Sequence, residues 1–294
     1  MNNSMKGAVY LSLAAAIWGG LFLAVRLVVG VVEAVPLVWL RYVLALGALF
    51  VLGEMRHVSW KIQPKDYKLV WAVGLIGQTL SIVTQESGTL LTSAQTGSTI
   101  TAATPAFMVI FGWLILKEEM TVRRILSLLM ATVGVLCIVF DPDNFQMDVL
   151  GGFYLLIAAV TWALMAVILK LLKEYSAITL TFYGTLIAVI CLAPYALWWL
   201  AEEADFMAMS SPQIWGAILY MGIISTTGGF VLWNEGLLYM DASVAGLFMF
   251  IQPIVGTILG WCILGEPLTL WFWIGAFLIG AGVVTVIQPN KKKE

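Results

Sequence analysis

Ten apolar stretches of about twenty residues, separated by short polar breaks, constrain this 294-residue chain more than any other feature. They fall at 7–29, 34–53, 67–91, 94–116, 121–140, 150–172, 177–200, 213–238, 242–264 and 269–288. Wound into an α-helix, a run of that length matches the hydrocarbon thickness of a bilayer. Only 11% of the residues are charged, against about 25% in a soluble domain whose surface water must solvate. A soluble enzyme is therefore excluded, and the lack of long period-two alternation argues against an outer-membrane barrel. The expected fold class is an all-α polytopic membrane protein of ten transmembrane helices. Cys137, Cys191 and Cys262 stand singly within apolar runs as core filler, so neither a disulfide framework nor a zinc site is indicated and no cofactor is expected.

Cations set the orientation, because Lys and Arg are retained on the cytoplasmic side during insertion. With the N-terminus inside, Lys6, Arg56, Lys61, Lys65, Lys68, Lys117, Arg123, Arg124, Lys170, Lys173 and Lys291 to Lys293 all fall at inner ends and loops. Only Arg26 and Arg41 fall outside, together with the acidic clusters around Asp141 to Asp148 and Glu202 to Asp205. Both termini are expected in the cytoplasm, and the localisation is the cytoplasmic (inner) membrane. The first run also carries features of a secretory signal peptide, with Lys6 ahead of the apolar core and Ala14-Ala15-Ala16 near a cleavage position. An internal copy of that run opposes this reading, since a cleaved leader has no reason to recur.

The copy is part of a repeat that runs the length of the chain. Gly7, Tyr10-Leu11, Ala14-Ala15 and Trp18 match Gly151, Tyr154-Leu155, Ala158-Ala159 and Trp162. Further on, Pro105 aligns with Pro253, Gly112-Trp113 with Gly260-Trp261, Ile115-Leu116 with Ile263-Leu264, Glu118 with Glu266, Thr121 with Thr269 and Gly134 with Gly282. The expected units are residues 1–145 and 146–294, each of five spans. An odd number of spans inserts the second copy upside down, giving inverted repeats of the kind found in secondary transporters. Charge agrees: the basic Arg123-Arg124 of the first copy becomes Trp271-Phe272 in the second, where the loop would lie outside.

Several of these residues together resemble the EamA family of the drug/metabolite transporter superfamily: Ala14-Ala15-Ala16-Ile17-Trp18-Gly19, Leu40-Arg41-Tyr42, Trp233-Asn234, Ala242-Ser243, Gln252-Pro253 and the segment Gly260 to Thr269. The resemblance covers nearly the whole chain and both copies. It implies a ten-helix, inverted-repeat carrier with a central cavity, whose relatives mostly export amino acids or related metabolites while others move sugars or drugs.

Polar groups in hydrocarbon need a partner or a watery cavity. In the third run Gly74, Gln78, Ser81, Gln85, Gly88 and Thr92 recur at spacings of three and four, hence on one helical face. Such a stripe either lines a solute path or packs as a seam of small residues and amides; two glutamines favour the cavity. Its copy in the eighth run, Gly222, Thr226, Gly229, Trp233 and Gly236, offers less hydrogen bonding. The two walls would suit a substrate with one polar and one apolar or aromatic pole. Trp18 and Trp162, paired by the repeat, are expected to close the cavity from opposite sides. Pro105 and Pro253 read as mid-span bends that shape it, with Thr101, Thr104 and Gln252 beside the backbone they disrupt. The candidate substrate-binding residues are therefore Trp18, Gln78, Ser81, Gln85, Thr101, Trp162, Thr226, Trp233 and Gln252.

Two carboxylates lie inside apolar runs, and such acids are functional candidates with partners to be named. Glu86 stands near the outer end of the third run, level with Arg41 or Arg26; Glu235 stands near the inner end of the eighth, level with Lys170. These pairs are expected as gates made and broken during alternating access, and Glu86 is also a candidate for proton coupling. His57, the only histidine, sits in a polar loop with no metal-ligand spacing.

The leading reading is a secondary carrier that exports small metabolites, most readily neutral or aromatic amino acids and related compounds, with amphiphilic drugs or other metabolites as the alternative. No Walker-type loop is present, and one histidine with two separated intramembrane acids does not make a membrane enzyme. A diphosphate-bearing substrate would need several cavity cations, and Arg41 is the one available. The expected partners are a small-molecule substrate, the lipid bilayer and protons as the coupling ion, with no nucleic acid; both a monomer and a homodimer fit the Gly256-x-x-x-Gly260 spacing of the ninth run.

Overall fold

The computed structural model describes residues 3–28, 30–91, 100–101, 103–139, 149–264 and 270–287. Every regular element among them is helical. In chain order these are α1 (Asn3–Val28), α2 (Ala34–Met55), α3 (Pro64–Leu91), α4 (Thr104–Leu116), α5 (Val122–Val139) and α6 (Val149–Leu171), followed by α7 (Ala177–Glu202), α8 (Pro212–Tyr239), α9 (Ala242–Ile263) and α10 (Leu270–Ile287). A single turn, Phe206–Met209, precedes α8. By length and composition seven of them, α1, α2, α3, α6, α7, α8 and α9, can cross a membrane. The apolar helices α4, α5 and α10 stand where the fourth, fifth and tenth runs are expected, and the first residues of the fourth run lie outside the described residues.

Helix starts follow ordinary capping chemistry. Ser176 caps α7 by accepting from the Ile178 N–H at 3.2 Å, and Pro212 opens α8, where its missing N–H costs nothing. Proline also explains a departure from expectation. Pro105 and Pro253 were expected to bend continuous spans, but both stand in first turns: α4 begins at Thr104 after a turn, and the α-helical part of α9 begins at Ile251 after a 3-10 stretch. Breaking the helix just upstream removes the carbonyl clash that a mid-helix proline would create.

Two widened segments occupy corresponding places in the copies. Residues Val73–Ser81 of α3 and Tyr220–Gly229 of α8 are π-helical, and a shift of 148 residues carries the first onto all of the second but Tyr220. In both, a threonine hydroxyl bonds a glycine carbonyl five residues back, Thr79 to Gly74 at 2.9 Å and Thr227 to Gly222 at 3.1 Å. Such wide turns are rare and concentrate at functional sites.

The copies interlock reciprocally. Helix α1 of the first packs on α8 and α9 of the second, α6 of the second packs on α3 and α4 of the first, and α2 meets α7 as α5 meets α10. Glycines let backbones approach at equivalent crossings. A Cβ on Gly88 would lie 2.7 Å from Leu155 and 2.8 Å from the Gly151 carbonyl; on Gly236 it would lie 2.6 Å from Leu11 and 3.3 Å from the Gly7 carbonyl. Where α5 crosses α10, Gly134 meets the Gly275 carbonyl and Gly282 meets that of Ser127, again equivalent contacts. Small residues at such crossings are how helices associate where lipid removes the hydrophobic drive.

Candidate functional site

A cavity lies among α1, α2, α3, α4, α6, α8 and α9. Trp18, Trp162 and Phe230 form an aromatic floor. The Trp18 and Trp162 rings meet edge-to-face at 5.3 Å, and Phe230 lies 5.7 Å from the first and 5.4 Å from the second. Trp18 is fixed by donating its indole N–H to the Ser225 carbonyl at 3.1 Å, in the π segment of α8. This arrangement needs Gly229, since a Cβ there would sit 2.6 Å from the Trp18 nitrogen. The two tryptophans therefore join in one floor, a correction to the expectation that they close the cavity from opposite sides.

Of the other expected lining residues, Gln85, Thr101 and Gln252 do line the cavity. Ser81, Gln78, Thr226 and Trp233 do not. Ser81 donates to the Ala158 carbonyl of α6 at 3.0 Å, and Gln78 accepts from the Thr185 hydroxyl of α7 at 2.8 Å. Thr226 donates within α8 to the Met221 carbonyl at 2.7 Å, and Trp233 is buried behind Trp18, 5.4 Å away. The polar stripe of α3 is thus mostly a packing seam, because its π turn changes the angular step that the 3.6-residue reading assumed. Thr92 lies outside the described residues. Thr104, Ser225, Phe230 and Met249 line the cavity without having been singled out as binding residues; no periodicity marks Phe230 or Met249 among so many apolar neighbours.

Arg41 is the one charged residue among the described lining residues. Its guanidinium Nη1 donates to Glu86 at 2.9 Å, and both side chains are almost completely buried, at 2% and 3% exposure. Glu86 is therefore met by Arg41; the Arg26 side chain lies outside the described residues. The guanidinium also lies 5.4 Å over the Tyr42 ring, whose hydroxyl donates to the Gln78 carbonyl at 3.2 Å.

The expected pair of Glu235 and Lys170 does not form. Lys170 donates instead to the carbonyls of Leu237, at 3.0 Å, and Met240. A cation there satisfies carbonyls that the end of α8 leaves unpaired, and it opposes the negative end of the helix dipole. Glu235 is half-buried on the same helix and touches no cation among the described residues. The Cys191 and Cys262 side chains are exposed and do not fill the core.

At that end of the bundle a second network ties the copies together. Glu118, just beyond α4, accepts from the backbone N–H groups of Ala242 at 2.7 Å and Ser243 at 3.1 Å, and from the Ser243 hydroxyl at 2.5 Å. The carboxylate thereby caps the N-terminus of α9, where the dipole favours negative charge. Arg124 of α5 approaches Glu118 at 3.8 Å, pairs with Asp241 and donates to the Glu119 carbonyl at 2.7 Å. Glu118 was visible in the sequence only as the repeat partner of Glu266, which lies outside the described residues.

A multi-pass helical bundle with a polar and aromatic cavity at the crossing of two copies is the build of a membrane carrier, and known proteins agree. The EamA-like transporter family matches twice, over residues 5–140 and 149–288. The chain belongs to that family and is a membrane transporter. It is 27% identical to an uncharacterized transporter of Archaeoglobus fulgidus over 97% of this chain and 100% of that one, and 28% identical to the uncharacterized transporter YetK of Bacillus subtilis over 96% and 88%. A solved crystal structure superposes with a TM-score of 0.80 over 95% of this chain and 97% of its own, at 19% identity, a likeness of fold.

Proposed function

We propose that this transporter is a secondary carrier that exports small metabolites, neutral or aromatic amino acids foremost, across the cytoplasmic membrane by alternating access. In this reading the ten helices are ten spans in two inverted five-helix repeats, with both termini in the cytoplasm. The observation that carries it is the cavity itself, which joins one charged residue and two glutamines to an aromatic floor. Such a lining suits a molecule with a polar head and an apolar or aromatic body.

Alternating access supplies a role for the network around Glu118. With the positive-inside bias putting this network at the cytoplasmic end, opening inward would have to release Glu118 and Arg124. Glu86 is the candidate for proton coupling, since it is a buried carboxylate one contact from the cavity.

The test is flux of labelled small, aromatic and charged amino acids in proteoliposomes, with and without a pH gradient. Saturable flux of aromatic or bulky neutral members is expected, accelerated by the gradient, and Glu86→Gln should abolish the acceleration. Gradient dependence surviving in Glu86→Gln removes the coupling role. Absence of flux across the panel, with the protein shown to be folded, transfers the assignment to amphiphilic drugs, which the aromatic floor also suits.

A further inference from the structure

We infer that Arg41 is the receptor for a carboxylate on the substrate, and that the substrate lies with this group at Arg41 and its apolar body on the floor of Trp18, Trp162 and Phe230. The inference rests on the carrier reading above and adds the polarity and orientation of the ligand.

A guanidinium presents five N–H donors in a rigid fork. In Arg41, Nη1 is taken by Glu86, while Nε is buried with no acceptor among the described residues. The indole N–H of Trp162, whose ring is on the cavity floor, is also buried and unpartnered among the described residues, as is that of Trp233 behind the floor. Buried donors are rarely left unmet, because each carries the desolvation cost of a lost hydrogen bond. Arg41 and Trp162 both line the cavity, so a ligand that brings acceptor atoms there meets a cation whose donors are not all satisfied. A planar carboxylate matches the fork of arginine better than any other small acceptor group.

Charge fixes the rest of the ligand. Arg41 and Glu86 cancel as a pair, so a lone anion would leave net negative charge in a poorly solvated site. An ammonium on the same molecule restores neutrality, and the side-chain carbonyls of Gln85 and Gln252, which line the cavity, can accept from it. A cation without a carboxylate would instead face Arg41 with nothing to offset the repulsion. The ligand class that fits is a zwitterion with an apolar or aromatic side group.

The test uses ligand pairs that differ only in the carboxylate. In proteoliposomes holding the full chain, phenylalanine and phenylalaninamide compete against labelled phenylalanine. In detergent, the zwitterions leucine and phenylalanine are each compared with their amides for thermal stabilisation, a readout that does not require amino-acid flux. The carboxylate member of each pair should act at on the order of ten- to a hundredfold lower concentration. That preference should persist in Glu86→Gln and fall to a few-fold at most in the double variant Arg41→Gln, Glu86→Gln, which leaves no buried unpaired charge. If the double variant does not fold, Arg41→Lys keeps the cation without the fork and must show a reduced preference. Equal action of acid and amide on the wild type, or an undiminished preference in the double variant, overturns the inference and leaves the carrier reading intact. No phenylalanine flux, with phenylalanine still stabilising in preference to its amide through Arg41, overturns the amino-acid export reading and upholds the receptor.

Discussion

Two buried polar contacts, one in each copy, occupy corresponding places and differ in kind. Between α2 and α3 the contact is an ion pair, Arg41 with Glu86 at 2.9 Å. The shift of 148 residues that superimposes the π segments carries Glu86 onto Asn234, which donates through Nδ2 to the Thr181 hydroxyl of α7 at 2.9 Å. The same shift carries Gln85, which faces the cavity, onto Trp233, buried behind the floor. Scaffold and chemistry have thus separated. Glycine crossings and widened turns, which decide how helices meet, are shared by both copies, while charge at this contact is confined to the first. The cavity built where the copies interlock draws its one charged residue, Arg41, from the first copy, while its amides and its aromatic floor come from both.

The sharpest way to break this comparison is to truncate each contact in turn. Arg41→Ala strands the Glu86 carboxylate in a buried site, and removing one partner of such a pair costs about 3–5 kcal/mol. The variant should show a large drop in thermal stability in detergent and no flux. A drop no larger than that of the uncharged contact would mean that water reaches Glu86, and that the burial of the pair is not what distinguishes the copies.

Next in size is the network that holds the copies together at the far end. Glu118→Gln keeps the side-chain shape but removes the charge from three hydrogen bonds to the start of α9 and from the approach of Arg124. A loss of about 1.5–3 kcal/mol is expected for the closed arrangement. A cysteine placed at Met240, buried beside this network, should then alkylate faster in a background free of native cysteines, by about tenfold for each 1.4 kcal/mol. An unchanged rate would place the closure of this end elsewhere.

Asn234→Ala should cost least of the three, about 1 kcal/mol. Thr181 retains its own bond to the Ala177 carbonyl at 2.7 Å, so no donor is stranded. Thermal unfolding beside Arg41→Ala measures the difference between the copies directly.

What could be read from the sequence divides along the same line. Helix positions and the repeat were legible because hydropathy and matched glycines are one-dimensional signals, as Gly134 and Gly282 illustrate. The meeting of Arg41 and Glu86 was legible too, since two isolated charges at one depth have few other partners. Faces were not legible. The 3.6-residue rule put Gln78, Ser81 and Gln85 together, and a π turn that no composition announces sent the first to α7, the second to α6 and only the third to the cavity. Lys170 was misassigned for a related reason: depth suggested a carboxylate partner, but the carbonyls ending α8 lie nearer.

The smallest effect is expected outside the membrane, where the loops of the two copies touch. The Tyr175 hydroxyl, in the link between α6 and α7, donates to Asp66 at 2.5 Å and accepts from the Gln63 N–H at 3.1 Å, in the link before α3. Donation to Asp66 holds the phenol in its neutral form and raises its pKa above the ordinary tyrosine value near 10. An acid whose folded pKa is raised contributes stability below its unfolded pKa and loses it as pH climbs through the folded one. The strap between the loops should therefore be intact at neutral pH and fade above about pH 10. Tyr175→Phe should lower the melting temperature slightly at neutral pH and flatten that alkaline decline. Because the group is well solvated, the change should be smaller than for Asn234→Ala; a larger one would mean that the loop contact, and not the buried contact of the second copy, does more to hold the copies in register.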